Sequence, residues 1–135
     1  MSENSPTLLT ALAIRLAKES DLPDMEWDGE YRHFRRLYRE IFQSVTQGRA
    51  LMWVAEVPTA GLIGQLFVQL QSGRPELADG QHRAYIYGFR VKPAYRSQGV
   101  GSRMLEKVER DLLQRGIAAL RNTGRVGLQE VIALA

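Results

Sequence analysis

The chain has 135 residues, 44% of them hydrophobic and 24% charged, with a formal net charge of +3. That size and balance fit one soluble globular domain, residues 1–135, and exclude fibrous, collagen-like and disordered classes. No cysteine is present, so disulfides, thiolate ligands and a cysteine nucleophile are excluded; with only His33 and His82 to offer, no conventional zinc site is expected.

Met1 to Thr7 is polar and reads as a loose N-terminus. The apolar segment Leu8 to Ile14 has no basic residue ahead of it and falls short of the ~20 apolar residues of a membrane span. No membrane role is expected, and the cytoplasm is the default compartment. "LAIRLAK" alternates Ile14 and Leu16 with Arg15 and Ala17, which predicts a first strand. "ESDLPDMEWDGE", with Pro23 and Gly29, predicts a loop holding at most one helical turn. From Glu30 to Gln47 the residues Tyr31, Phe34, Tyr38, Ile41, Phe42 and Val45 recur at spacings of three and four, which predicts a helix ended by Gly48. Two strands follow, Leu51 to Val57 and Gly61 to Leu70, joined by "PTA" as a hairpin. "QSGRPELADGQH" reads as a surface loop, and Arg83 to Val91 as a third long strand rich in aromatic and β-branched residues. A second helix, Gly99 to Arg115, buries Val100, Met104, Leu105, Val108 and Leu112 and stops at Gly116. "IAALR" is read as one more strand, and residues 122–135 as an atypical tail without a pattern. This order predicts an α/β (α+β) fold with a mixed, mostly antiparallel sheet flanked by helices.

The segment "VKPAYRSQGVGS" carries more chemistry than a strand-to-helix turn requires. The first N–H groups of a helix lack intrahelical partners, and the helix dipole adds about half a positive charge there. An anion placed at that point satisfies both, and glycine lets it approach the amides. Arg96 can add a charge-assisted contact, while Ser97, Gln98 and Ser102 add side-chain hydrogen bonds beside the backbone of Gly99, Val100 and Gly101. The Walker phosphate loop fails, because Ser102 and Arg103 follow Gly101. The dinucleotide fingerprint fails as well, with Met104 where its third glycine would stand. The simpler reading, a tight turn with a solvated Arg96, leaves paired glycines at a helix start unexplained.

Arg96-x-x-Gly99-x-Gly101, preceded by "FRVKP" and followed by a helix ending in "RGI", resembles the acetyl-CoA loop of the GNAT superfamily of N-acetyltransferases. "IRLAKESDLP" is similar to the opening strand and turn of many members, and the resemblance spans roughly residues 13 to 121. It implies acetyl-CoA as cosubstrate, no metal, and direct transfer of the acetyl group to an amine acceptor of unspecified type. It also implies that the strand before the loop splays from its neighbour, so that the backbone of Phe89, Arg90 and Val91 contacts the pantetheine arm. A backbone N–H there would stabilise the thioester oxyanion.

Many members carry a carboxylate base six residues before the Val91 position, where this chain has Tyr85. A phenol is a poor base at neutral pH and is suited instead to orienting a water. Tyr87, Glu56 and His82 are further candidates, each with a simpler structural reading. The family's tyrosine acid lies on a last helix, yet no tyrosine follows Tyr95. The last helix and terminal strands are therefore expected to be missing, with a second subunit of a homodimer completing the site. The rival reading is an acyl-CoA-binding or regulatory module of the same fold that has lost transfer. Nucleic-acid binding by "YRHFRRLYRE", through Arg32, Arg35, Arg36 and Arg39, is not expected, because Tyr31 and Tyr38 sit at core spacing.

Overall fold

A computed structural model of the chain describes residues 5–26, 32–71, 83–122 and 129–132. Among these residues, six strands form one sheet in chain order: β1 (Ala13–Leu16), β2 (Ala50–Val57), β3 (Gly61–Gln69), β4 (Arg83–Val91), β5 (Ala118–Asn122) and β6 (Gln129–Ile132). Neighbours from β1 to β4 run antiparallel, β4 and β5 are parallel, and β6 returns antiparallel to β5. The parallel step is the one joined by a helix, as a parallel pair requires.

Three α-helices accompany the sheet among the described residues: α1 (Ser5–Ala11), α2 (Arg32–Thr46) and α3 (Val100–Gln114). On one face Val100, Met104, Val108 and Leu112 of α3, four residues apart, pack on Trp53, Ala55, Ile63, Leu66 and Ile86. On the other, Tyr38 and Ile41 of α2, with Leu22 and Met25 of a 3-10 turn at Glu19–Met25, pack on Met52, Val54 and Phe67. Both faces of β2 and β3 are therefore covered, which is why their sequences read as apolar runs instead of alternating. Helices α2 and α3 end alike. Arg49 donates to Ser44 and Gly48 to Val45 at one; Ile117 donates to Leu112 and Gly116 to Leu113 at the other.

Two differences from the sequence-based expectations stand out. The N-terminus is not loose from residue 5 onward: α1 opens at Ser5 with Pro6 in its first turn, where a missing N–H costs nothing, and Leu8 and Leu12 pack against the α3-side core. In the patternless tail, residues 129–132 form β6, so one terminal strand is present where none was expected; no helix follows β5 among the described residues. Tyr31, the stretch 72–82 with His82, and most of the tail lie outside the described residues. No helix among the described residues is long and apolar enough to cross a membrane.

Candidate active site

The site starts from a counting mismatch between two strands. Gln65 pairs with Arg90 and Phe67 with Tyr87, so β4 spends two residues, Gly88 and Phe89, where β3 spends one. This is a β-bulge, and Gly88 takes the left-handed conformation it needs, with φ of +64°. A Cβ there would also collide with the Phe67 ring. Phe89 and Val91 face the α3 side, and Arg90 reaches Tyr38 on the α2 side.

Just ahead of the bulge, β4 also parts from its other neighbour among the described residues. The parallel ladder with β5 runs from Arg83–Ala118 to Ile86–Arg121 and stops there among the described residues. Among the described residues the backbone from Tyr87 to Val91 thus has no ladder partner on that side, which leaves an opening between β4 and β5.

The chain then turns directly into α3. Lys92 N–H donates to the Ile63 carbonyl, and a short 3-10 turn at Pro93–Tyr95 leads into the loop. Ser97 and Gly99 both have positive φ, +61° and +91°, a costly choice for a serine and one that gathers successive N–H groups on a concave side. From Ser97 to Ser102 no N–H donates to a backbone carbonyl among the described residues; the first helical bond runs from Arg103 N–H to the Gly99 carbonyl. The Phe89 ring lies beneath these donors. A Cβ on Gly101 would sit 3.0 Å from Phe89 Cζ, so Gly101 is required by the strand as well as by any ligand. On the outside, Leu9 of α1 comes within 3.5 Å of where a Gly99 Cβ would be.

The side chains of the loop are more engaged than the sequence suggests. Arg96 donates from Nε to the Val91 carbonyl at 2.8 Å, pinning the end of β4 and leaving its terminal nitrogens as donors. Gln98 donates to the Ala94 carbonyl at 3.0 Å, so its amide braces the turn. Val100 is buried in the core and offers only its N–H, while Ser102 is exposed.

On the α2 face, Tyr85 and Tyr87 stack with centroids 5.7 Å apart, and Phe67 sits edge-on to both Tyr87 and Tyr38. Burial, reinforced by Tyr85 nearby, pushes the Tyr87 phenol up to about 12. Glu56 lies two strands away from β4 and is ion-paired with Arg15. Sequence reasoning missed Gln65 and the hydroxyl of Tyr38. Gln65 is 1% exposed; its Nε2 donates to Tyr38 Oη at 3.1 Å and to the Gly88 carbonyl at 3.3 Å, and Arg90 Nη1 donates to the same hydroxyl at 3.1 Å. The available signal was an amide in the middle of the apolar run "GLIGQLFV".

An open backbone edge running into a helix start rich in free amides is suited to an extended ligand that ends in phosphate. No curated protein matches the sequence significantly. Among solved structures, an aminoglycoside antibiotic 6'-N-acetyltransferase from Acinetobacter baumannii is similar at a TM-score of 0.65 and 20% identity, over 86% of this chain and 81% of that one. A GNAT family acetyltransferase from Staphylococcus aureus Mu50 gives 0.63 and 14%, over 84% and 74%. A GNAT family N-acetyltransferase (YhbS) from Escherichia coli, solved in complex with CoA, gives 0.60 and 19%, over 82% of this chain and 62% of that one. At these identities the likeness is one of fold. The sequence profile of the Acetyltransferase (GNAT) family, in contrast, matches residues 15–134, nearly the whole chain. Bulge, split strands and amide-lined helix start therefore lie within a matched family domain, and the chain belongs to the acetyltransferase (GNAT) family.

Proposed function

We propose that the protein is an N-acetyltransferase that moves an acetyl group from acetyl-CoA to an amine by direct attack in a ternary complex. The observation that carries this reading is the junction of the β4 opening with the unbonded N–H groups from Ser97 to Ser102. Those N–H groups, the α3 dipole and the terminal nitrogens of Arg96 would hold the diphosphate. The backbone of Phe89, Arg90 and Val91 would hold the pantetheine arm in the opening. Bound acetyl-CoA supplies the acetyl group in activated form, as a thioester. The amine would approach from the α2 face, where Tyr85 would orient the water that accepts its proton.

One observation favours a second reading, a CoA-binding module without transfer. Tyr87 holds its proton far above neutral pH, and Glu56 is engaged by Arg15, so neither is a ready base. Calorimetry with CoA, run beside thiol release from acetyl-CoA against a panel of amines, separates the two. We expect CoA to bind and thiol release to depend on the amine. Gly99→Asp should abolish binding through like charge at the diphosphate position, with the far-UV circular dichroism unchanged. Binding without amine-dependent release selects the module, and no heat from CoA with the unaltered protein overturns both readings.

A further inference from the structure

We propose that Gln65 is a positioning residue for transfer, aiming the Phe89 N–H into the opening between β4 and β5. This rests on the acetyltransferase reading above.

A buried amide is costly unless its polar atoms are bonded, and Gln65 stands at 1% exposure inside an apolar strand. Its orientation is dictated by its neighbours. The Gly88 carbonyl can only accept, so the nitrogen end of the amide must face it, at 3.3 Å. The second hydrogen of that nitrogen reaches Tyr38 Oη at 3.1 Å, and Arg90 Nη1 reaches the same oxygen from the strand itself, also at 3.1 Å. The Gln65 side chain on β3 thus holds the Gly88 carbonyl, and Tyr38 on α2 ties that side chain to Arg90, just past the two residues of β4 that have left the regular ladder.

The clamp matters because of what shares a peptide plane with it. The Gly88 carbonyl and the Phe89 N–H belong to one planar trans unit, in which they point in opposite directions. Holding the carbonyl toward the Gln65 side chain therefore turns the Phe89 N–H away from that side chain, and the described β5 ladder, which ends at Ile86, supplies no carbonyl to occupy it. Glycine with φ of +64° has the widest choice of alternative peptide orientations, so this plane needs an external restraint. In the transfer reaction a thioester carbonyl oxygen in the opening becomes an oxyanion as the amine adds. The thiolate then leaves with its electron pair, and an N–H already aimed at that oxygen stabilises the charge without reorganising. Gln65 contributes by holding the donor still and touches neither substrate.

The test uses the full chain labelled with nitrogen-15, and CoA and acetyl-CoA as the probes. In the unaltered protein the Phe89 amide signal should shift further downfield with acetyl-CoA than with CoA, since only the former carries the carbonyl. Gln65→Leu should lose that difference while keeping CoA affinity within about two-fold, because the phosphate contacts lie elsewhere. Where an amine substrate is in hand, its kcat should fall by about 10- to 100-fold with the KM for acetyl-CoA unchanged. Gln65→Glu should behave like Gln65→Leu at pH 8 and recover as the pH falls, because the protonated acid again donates to Gly88. A purely structural role moves the melting temperature but does not produce that pH profile. Should Gln65→Leu fail to fold, Tyr38→Phe removes one leg of the clamp and should reduce the Phe89 difference part-way. A folded, CoA-binding Gln65→Leu or Tyr38→Phe that keeps the full difference and kcat overturns the inference alone. Absence of CoA binding in the unaltered protein overturns the acetyltransferase reading and this inference with it.

Discussion

Tyr87 shows how one side chain can be excluded from a role and still report on its surroundings. An exposed phenol titrates near 10, whereas burial beside Phe67 and Tyr85 pushes Tyr87 up to about 12. Below pH 10 the folded and unfolded chains both hold the proton and stability does not depend on it. Between about 10 and 12 the unfolded chain releases it first, so the Tyr87 contribution is lost as the pH rises. Thermal melts across that window should fall less steeply for Tyr87→Phe than for the unaltered protein. Individual residues were unevenly legible in the sequence. Gly99 and Gly101 were readable as a helix start made for an anion, but the second demand on Gly101, the Phe89 ring 3.0 Å from a would-be Cβ, depends on a strand the motif does not contain. Arg96 and Gln98 were assigned to a ligand from their residue types, although part of each is committed to the backbone carbonyls of Val91 and Ala94. Such bonds are set by how the chain turns, and side-chain chemistry alone does not reveal them.

Among the elements, β1 is the clearest case of a short piece made secure by charge. It has four residues at the edge of the sheet, too few for its own ladder to hold firmly. Arg15 reaches from it to Asp21 through both terminal nitrogens, at 2.8 and 3.0 Å, and to Glu56 on β2 through Nε. The Lys18 N–H closes the turn onto Asp21 at 2.6 Å. The hydrogen bond from Arg15 holds the Asp21 carboxyl below its ordinary range despite burial. This stabilisation is complete above the ordinary carboxylate range and is lost as the pH drops through the lowered value. Asp21→Asn should therefore cost about 1–3 kcal/mol in urea unfolding at pH 7, and the gap should close toward pH 2. The long elements were legible because α2, α3 and the strands from β2 to β4 carry strong periodic or apolar signals. Helix α1 was not: seven residues span barely two turns, and Leu8 within it and Leu12 just past its end gain meaning only from the core they meet. The bulge was invisible for a similar reason, since a surplus residue in β4 exists only relative to the count in β3.

At the scale of the molecule, the sheet divides the interior into two apolar clusters, and the candidate site opens at one end of the partition. Stability and ligand binding should then be separable. Leu112 is fully buried on α3 but lies about 18 Å along the helix from Val100, at 1.5 Å per residue. Leu112→Ala should lower the unfolding free energy by about 2–4 kcal/mol in chemical denaturation and leave the dissociation constant for CoA nearly unchanged below the transition. The fold class followed from element order because hairpins and one helical crossover admit few arrangements. The position of the opening did not, because it depends on where β5 stops pairing.

The surplus position at Gly88 makes the strand longer without changing which way its later residues face. Between Tyr87 and Arg90 the chain spends two residues against one, yet Arg90 still stands opposite Gln65. A lone codon deletion of Gly88 would thus restore plain alternation, with Phe89 opposite Leu66 and both Arg90 and Val91 on the sides they hold now; it would erase the kink and spare the division of inside from outside.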